Sequence, residues 1–495
     1  MKRITSVVFL LIIGLGSFAQ SYILDTTFQP FFDIRNQPNV RVSDIFEYQN
    51  SGKILVAGIF KNYYMGAFFE GAVTYDSIGG LIAGFSLNSN GVGNIGYINQ
   101  IHQKYFYTTN TGLGGIIDSN GQNTYPFPNW RLNTLSTVQC ATGVPYFFDD
   151  GSALFVNGAD NSQKPCKIIN GTDTFPGRHI IKVSPQGVWD SSFVHDATFL
   201  LDGFYPYDSN RIIIYRDPNR FTFYDSTVVN GLCRIYLDGS LDTTFSSPLN
   251  PNYFGQTIIP TNVEQNGRFF LAGNFYLKGD TVKTPMARFN ANGSLDSTFL
   301  YNQGPRDTAY NLGSVGAVAK TQDGGYLVGG FFNNYQGHVK KSIAKIDSIG
   351  LVEPQYFTSA GPDSAASFGG IISAVSTIVK SKFGGYYLAG NFLKWDNKAS
   401  QPIIRITAMQ TGVGLDDENL KAESINLFPN PTSGSITISS ETDFTSITIY
   451  SILGEKLLEV DPDKRSWEMP KHKGIYFINL LDDQGNRITK KIVKH

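Results

Sequence analysis

The six histidines, His102, His179, His195, His338, His472 and His495, are the first place to look for chemistry. None stands in a His-Glu-x-x-His arrangement, or at another spacing that would set two metal ligands on one face. There is no Gly-x-Ser-x-Gly elbow and no phosphate-cradling glycine loop, so the glycines read as turn residues. Four aspartates, Asp25, Asp190, Asp242 and Asp296, each precede a Ser or Thr. Calcium takes six to eight oxygens, and one aspartate per turn supplies too few, so each is expected to cap its own turn. Asp118-Ser119-Asn120-Gly121 begins like a calcium loop, lacks the bidentate glutamate at its end, and reads as a hairpin turn. Trp130 and Trp395 sit in loop-like contexts and are the candidate ligand contacts, through ring stacking on a sugar or a protein; edge capping is the alternative. Trp189 reads as core. Cys140, Cys166 and Cys233 are odd in number and match no zinc spacing. They read as buried thiols, with a single Cys140–Cys166 bridge as the other option. No catalytic residue, metal site or cofactor is assigned.

The elements that carry these residues repeat. Arg234-Ile-Tyr-Leu-Asp-Gly-Ser-Leu-Asp-Thr-Thr-Phe245 is echoed by Arg288-Phe-Asn-Ala-Asn-Gly-Ser-Leu-Asp-Ser-Thr-Phe299. Weaker echoes fall at 187–193, at 344–350 leading to Tyr356-Phe357, at 75–79 leading to Phe85, and at 118–121 leading to Phe127. A second motif precedes them: Gly267-Arg-Phe-Phe-Leu-Ala-Gly-Asn-Phe275 matches the runs at 385–392, 52–60 and 325–331. An Asn/Asp-Gly step between apolar strands supplies the positive φ of a hairpin turn. The aspartate in Leu-Asp-Thr-Thr-Phe can accept from the amide two residues on. The phenylalanine is then a large apolar anchor for the interface with the next unit. Each unit supplies roughly four strands in ~40 to 65 residues, the size of a propeller blade.

These residues resemble the bacterial delta-sixty repeat over most of Ser21 to Thr407, strongly from Gly231 to Phe357 and loosely between Gly91 and Phe193. The resemblance implies a propeller-like architecture and little chemistry. The last unit has its Ala-Gly-Asn-Phe strand and Ile403-Ile-Arg-Ile406, but no Leu-Asp-Thr-Thr-Phe follows. That fragment stands instead at Leu24-Asp25-Thr26-Thr27-Phe28. Moving it to the end completes about seven units, and predicts that the N-terminal strand closes a ring by pairing with Ile403–Ile406. An open β-solenoid array is the alternative.

After Thr407 the texture changes. Residues 408–423 are polar, acidic and repeat-free, and read as a linker. From 424 to 495 the sequence alternates with period two, as at Ser435–Ser439, Ile447–Tyr450, Gly474–Leu480 and Arg487–Val493, with frequent turn signals. This predicts a small immunoglobulin-like β-sandwich. Phe428-Pro429-Asn430-Pro431, Gly434, Tyr450 with Gly454, Gly474-Ile-Tyr476 and the closing Lys490-Lys491 resemble the type A C-terminal sorting domain of the type IX secretion system of Bacteroidetes. Members often carry Asp or Asn where Ser451 stands here, which touches only a local turn. The resemblance implies passage across the outer membrane and removal of the tail. The body is then released or tethered to surface lipopolysaccharide.

The N-terminus agrees with that route. Met1-Lys2-Arg3, the apolar run Val7–Ile13 and the small residues Ser17 and Ala19 form a signal peptide over residues 1–19. The expected cut lies between Ala19 and Gln20, which makes the general secretory translocon and signal peptidase partners. The apolar run falls short of the ~20 residues that span a bilayer. A net charge of −1 with 16% charged residues argues against nucleic acid or an anionic membrane as an electrostatic partner. Abundant Phe, Tyr and Gly, with no sustained 3.6-residue pattern beyond the leader, make the mature chain all-β. The reading is a β-propeller over residues 20–407 followed by the sandwich, secreted or surface-attached, binding a glycan or protein ligand. Its rivals are a glycan hydrolase or lyase working at the propeller channel and a structural coat component.

Overall fold

The computed structural model describes residues 21–32, 40–48, 52–64, 67–86, 95–101, 104–109, 114–117, 123–124, 130–132, 146–156, 168–170, 173–174, 178–186, 188–198, 201–308, 313–357, 361–362, 374–382, 384–396, 398–409, 425–440, 443–451, 456–482 and 487–495. The chain divides into two compact units, Met1–Met409 and Gln410–His495. The described residues are almost entirely β, with a single 3-10 turn at Tyr301–Gln303.

In the first unit the strands form successive antiparallel meanders. Three of them show the plan: Gly203–Pro206, Arg211–Tyr215 and Leu232–Tyr236; Thr257–Thr261, Phe269–Phe275 and Thr284–Phe289; Ser314–Lys320, Tyr326–Phe331 and Ile343–Ile346. Both faces of each central strand are buried. Phe269 and Leu271 pack backwards with Ile213 and Tyr215, while Phe270 and Ala272 pack forwards with Val315 and Val328. The two-residue period of a strand therefore distributes alternate side chains between preceding and following sheets. This is why Phe-Phe-Leu-Ala is apolar at every position rather than alternating.

The glycine that ends each of these runs has a steric cause. A Cβ at Gly330 would lie 2.0 Å from the Ser314 carbonyl oxygen, and one at Gly390 would lie 1.9 Å from that of Ala374. Both sites face a register shift in the neighbouring strand, between Val315 and Ala317 and between Val375 and Thr377. The bulged strand leans onto the glycine, and only a residue without Cβ leaves it room.

The last sheet of the unit is completed from the other end of the chain. Val375–Lys380, Tyr386–Gly390 and Ile403–Met409 are joined by Ser21–Leu24, with Ser21 opposite Met409 and Leu24 opposite Ile406. The N-terminal strand thus pairs with the last strand, as expected, but against Ile406–Met409 and not against Ile403–Ile406. Each sheet stays open, and this last one stacks on the first: Tyr387, Ala389 and Ile403 share a core with Val42, Ile54, Val56 and Phe28. The Ser376 and Thr377 hydroxyls donate to the Val42 and Ser43 carbonyls at 3.0 and 2.8 Å.

The second unit contains two sheets. One holds Asn426–Phe428, Ser435–Ser439 and Ser466–Glu468. The other holds Lys456–Val460, Phe444–Ser451, Gly474–Asp482 and Arg487–Lys494 in that order. Ile436, Ile438, Ile447, Ile449, Trp467, Tyr476, Ile478 and Ile492 form their shared core.

Candidate functional site

The repeated charged residues of the first unit converge on one another. Arg234 projects from Leu232–Tyr236 and is 2% exposed; eight residues on, the turn brings back Asp242, 1% exposed. Arg234 Nε donates to Asp242 Oδ2 at 2.8 Å. Asp242 Oδ1 accepts from the Thr244 amide at 3.0 Å and the Thr244 hydroxyl at 2.6 Å. The guanidinium also donates to the Ala291 carbonyl of the next unit at 2.5 Å, and lies 4.5 Å from the Tyr207 ring centre and 5.0 Å from that of Phe245. Arg288 repeats the arrangement, with Asp296 at 2.7 Å, the Ser348 carbonyl at 2.6 Å and the Phe299 ring at 4.9 Å. Lys345 and Glu353, 2.5 Å apart, are a variant with an ammonium in place of the fork.

The third arginine clamp joins the two ends. Arg405 Nε donates to Asp25 Oδ2 at 2.6 Å, its Nη1 to the Ser77 carbonyl at 2.8 Å, and its carbon lies 5.4 Å from the Phe28 ring centre. A matching backbone bond crosses between units each time: Ser246 N to Asn292 O, Leu300 N to Ile349 O, and Gln29 N to Ile78 O, all at 2.8–3.0 Å. The turn glycine fits here. Gly293 has φ 84°, and a Cβ there would sit 2.2 Å from the Ser246 carbonyl oxygen.

Burial alone would raise the Asp242 carboxyl; the Thr244 hydroxyl, the Arg234 guanidinium and the Thr244 amide outweigh it and hold it at about 2. Asp25 and Asp296 are lowered by the same opposing causes. A buried guanidinium locked to a carboxylate, a hydroxyl and a neighbouring carbonyl has its donors consumed. The clamp fastens units together and offers no free acid or base.

The second unit holds a different constellation. Arg487–Lys494 is an outer strand, and Asn430 lies against its open side. Asn430 Nδ2 donates to the Lys491 carbonyl and its Oδ1 accepts from the Val493 amide, both at 2.9 Å. The side-chain amide thus does what a neighbouring strand's peptide group would do. Thr432 continues the cover: its amide donates to the Val493 carbonyl at 2.8 Å, and its carbonyl accepts from the His495 amide at 3.1 Å. Phe428, Pro429 and Pro431 flank this cap and are exposed, Phe428 by 50%. Gly434 donates to the Thr432 hydroxyl, and Tyr476, 5% exposed, donates to the His472 carbonyl at 2.6 Å. Gly474 opens the strand that pairs with Arg487–Lys494, Lys490 is half-buried and Lys491 exposed. Asn430 and Lys491, far apart in sequence, are therefore brought together.

Among the other expectations, Asp25, Asp190, Asp242 and Asp296 each accept from the amide two residues on, as turn caps. Phe28, Phe193, Phe245 and Phe299 each pack at the interface with the following unit. Trp395 requires correction. It is 6% exposed, in the hairpin Lys394–Trp395 and Lys398–Ala399, with its ring against Phe392. Equivalent hairpins bury Tyr224 and Tyr335, and all three aromatics bridge to the incoming segment, at Ala197, Pro305 and Pro362. Trp395 is thus a repeat core position and not the exposed ring expected. Trp130 lies in strand Trp130–Leu132, and Trp189 bridges to Val183. Cys233 is a buried thiol that desolvation pushes up. Ala19, Gln20, Cys140, Cys166, Gly454 and the turn at 118–121 lie outside the described residues.

The clamp arginines were not singled out from sequence. Their signal was a basic residue inside an apolar run, as in Cys233-Arg234-Ile235 and Ala287-Arg288-Phe289, eight positions before an acid.

Residues 426–495 match the family of secretion system C-terminal sorting domains, which indicates export through the type IX system to an extracellular or cell-surface location. Residues 220–245 and 264–299 match a domain of unknown function (DUF5122) described as a beta-propeller. No curated protein sequence matches the chain. Among solved structures, similarity is found to PorZ, a surface component of the type IX secretion system of Porphyromonas gingivalis, at 12% identity and TM-score 0.30, over 90% of this chain and 64% of that one. The extracellular domain of a one component system from B. thetaiotaomicron matches at 10% identity and TM-score 0.39, over 96% and 58%. An oligogalacturonate lyase from Vibrio parahaemolyticus matches at 12% and TM-score 0.43, over 78% and 98%. The chain thus spans less than two thirds of the length of the first two.

Proposed function

We propose that the protein is an exported binding or adhesion module: a ring of about seven blades closed by its own N-terminal strand, carried out by a detachable immunoglobulin-like tail. The observation that carries the binding reading is the fate of the repeated charges. Arg234, Arg288 and Arg405 are each locked to a carboxylate and to the next unit. The recurrent chemistry is thereby used to hold the ring, which leaves the variable loops between strands to make contacts. In this reading the leader is cut between Ala19 and Gln20 by signal peptidase after the general secretory translocon. Residues 20–407 form the delta-sixty propeller, 408–423 the linker and 424–495 the sorting domain read by the type IX machinery. The body is then released or joined to surface lipopolysaccharide, as in Bacteroidetes, and its ligand is a glycan or a protein. Trp130, in the divergent stretch, is the aromatic proposed to meet it.

Two experiments test this. A passenger fused to residues 408–495 behind a cleavable leader should reach the medium or surface of a type IX-competent cell; retention in the periplasm would end the export account. The mature protein should bind members of a broad glycan and protein array, whereas turnover of a glycan without retention would replace the binding module by an enzyme.

A further inference from the structure

Two clefts meet at Tyr301. One, of about 400 Å³, is lined by Lys278, Asp280, Asn292, Ser294 and Tyr301 among others. The other, of about 440 Å³, is lined by Asp280, Lys283, Tyr301, Asn302 and Arg306 among others. Asp280 and Tyr301 belong to both, so the two form one double cleft with a shared wall. Of these residues only Asn292 serves the clamps described above, and through its backbone carbonyl alone.

The backbone holds this region firmly. Lys278 N donates to the Pro248 carbonyl at 2.9 Å, and Asp280 N to the Leu277 carbonyl at 3.0 Å. The loop facing them is fixed by Gln256, whose amide group donates to the Asn250 and Tyr253 carbonyls and accepts from the Tyr276 amide. Asp217 Oδ2 accepts from the amides of Gly255 and Gln256. On this frame the Tyr253 and Tyr276 rings stack at 4.0 Å and 16°. Lys283 ties the stack to the second cleft, its Nζ lying 5.7 Å from the Tyr276 ring centre. At the tip of the same loop Phe254 is 82% exposed, an apolar ring that the hydrogen bonds keep in water.

The lining chemistry selects a ligand class. Three cations, Lys278, Lys283 and Arg306, stand against one anion, Asp280. Lys278 and Arg306 are exposed and form no ion pair among the described residues. Between them lie hydroxyl and amide groups, Ser294, Asn292 and Asn302, suited to a partner rich in hydroxyls. The Tyr301 ring, the hydroxyl and amide groups and the surplus positive charge together fit a sugar that carries carboxylates.

We propose that the double cleft around Tyr301 binds an acidic oligosaccharide, a short run of uronic acid units whose carboxylates meet Lys278 and Arg306. This rests on the reading of the body as a binding module and gives that module its ligand class. An acidic peptide is the competing occupant. It would use the cations without using the neutral lining.

The test is calorimetry on the mature protein with tetragalacturonate, its methyl ester, maltotetraose and tetraglutamate. Tetragalacturonate should bind saturably, and the methyl ester about tenfold more weakly. The double variant Lys278→Ala/Arg306→Ala removes only exposed side chains and should melt with the parent, yet lose about tenfold in affinity. No binding of tetragalacturonate, equal affinity in the double variant, or equal binding of tetraglutamate would each overturn the proposal. Binding of maltotetraose alone would overturn it and leave the binding module standing. Silence toward these four and toward the broad array would remove both.

Discussion

The clamp at Arg288 and the clamp at Arg405 have nearly the same geometry and opposite origins. In the first, arginine and aspartate are eight residues apart, and the pair forms as soon as one hairpin turns. In the second they are 380 residues apart, and the pair forms only when the ends of the unit meet. The entropy of closing a free loop grows as about (3/2)RT ln n, which puts the long closure roughly 3 kcal/mol behind the short one. In the folded unit the stacked sheets between them hold Ile403–Met409 beside Ser21–Leu24, and their burial offsets that difference. One set of contacts is therefore a local staple in the middle of the unit and a latch at its ends. Identical side-chain chemistry carries different cooperativity according to chain topology.

The sharpest way to break this comparison is to cut each clamp. Arg288→Ala leaves the buried Asp296 with Arg268, at 3.5 Å, as its only ion-pair partner among the described residues, and should cost about 3 kcal/mol in chemical denaturation. Arg405→Ala bares the half-buried Asp25 and should cost about 2 kcal/mol. Hydrogen exchange should separate them. Arg405→Ala should speed exchange in Ser21–Leu24 and Ile403–Met409 ahead of the other sheets, as a latch opening; Arg288→Ala should show no such local opening. The same exchange pattern in both would deny the latch.

Acid probes the two kinds of clamp together. The folded carboxyls of Asp25, Asp242 and Asp296 are lowered, so their contribution is complete above the ordinary carboxylate range and is lost as pH falls. For Asp242 the loss runs from about pH 4 down through about 2, worth about 2 kcal/mol. A denaturation midpoint unchanged between pH 5 and pH 2.5 would contradict this, and Asp242→Asn should flatten the profile.

Asn430 sharpens the comparison from the neutral side, since it also joins distant segments, 61 and 63 residues apart, but without charge. Asn430→Ala should cost the second unit only about 1–2 kcal/mol. It should speed exchange at Val493 and show no pH dependence of its own. Protection at Val493 equal to the parent's would mean that the strand edge is covered some other way.

Much of this was legible because the informative signals were local. Asp242 capping Thr244, Phe299 anchoring the next interface and the strand Ser435–Ser439 all follow from a few adjacent residues. The N-terminal pairing was legible for another reason: a fragment missing from the last unit stood at the start of the chain, and a repeat makes such an absence visible. Arg234, Arg288 and Arg405 escaped notice because a buried guanidinium is satisfied by partners drawn from two units, and no single motif contains them all. Trp395 was misread because its hairpin shares little sequence with those of Tyr224 and Tyr335; only the strand pairing makes them equivalent. The tail strand Lys456–Val460 was missed because it is an edge strand whose first four residues are exposed, without the alternation that marks a half-buried strand.

The latch depends most directly on the first strand belonging to the last sheet. Ile23 and Thr407 are opposite each other in that pairing, and Ile23 is exposed. In the mature protein carrying Ile23→Cys and Thr407→Cys, mild oxidation followed by proteolysis and mass mapping should recover one peptide pair linked through residues 23 and 407. Free thiols at both positions in a folded protein, or a link from residue 23 to any other cysteine, would contradict the latch.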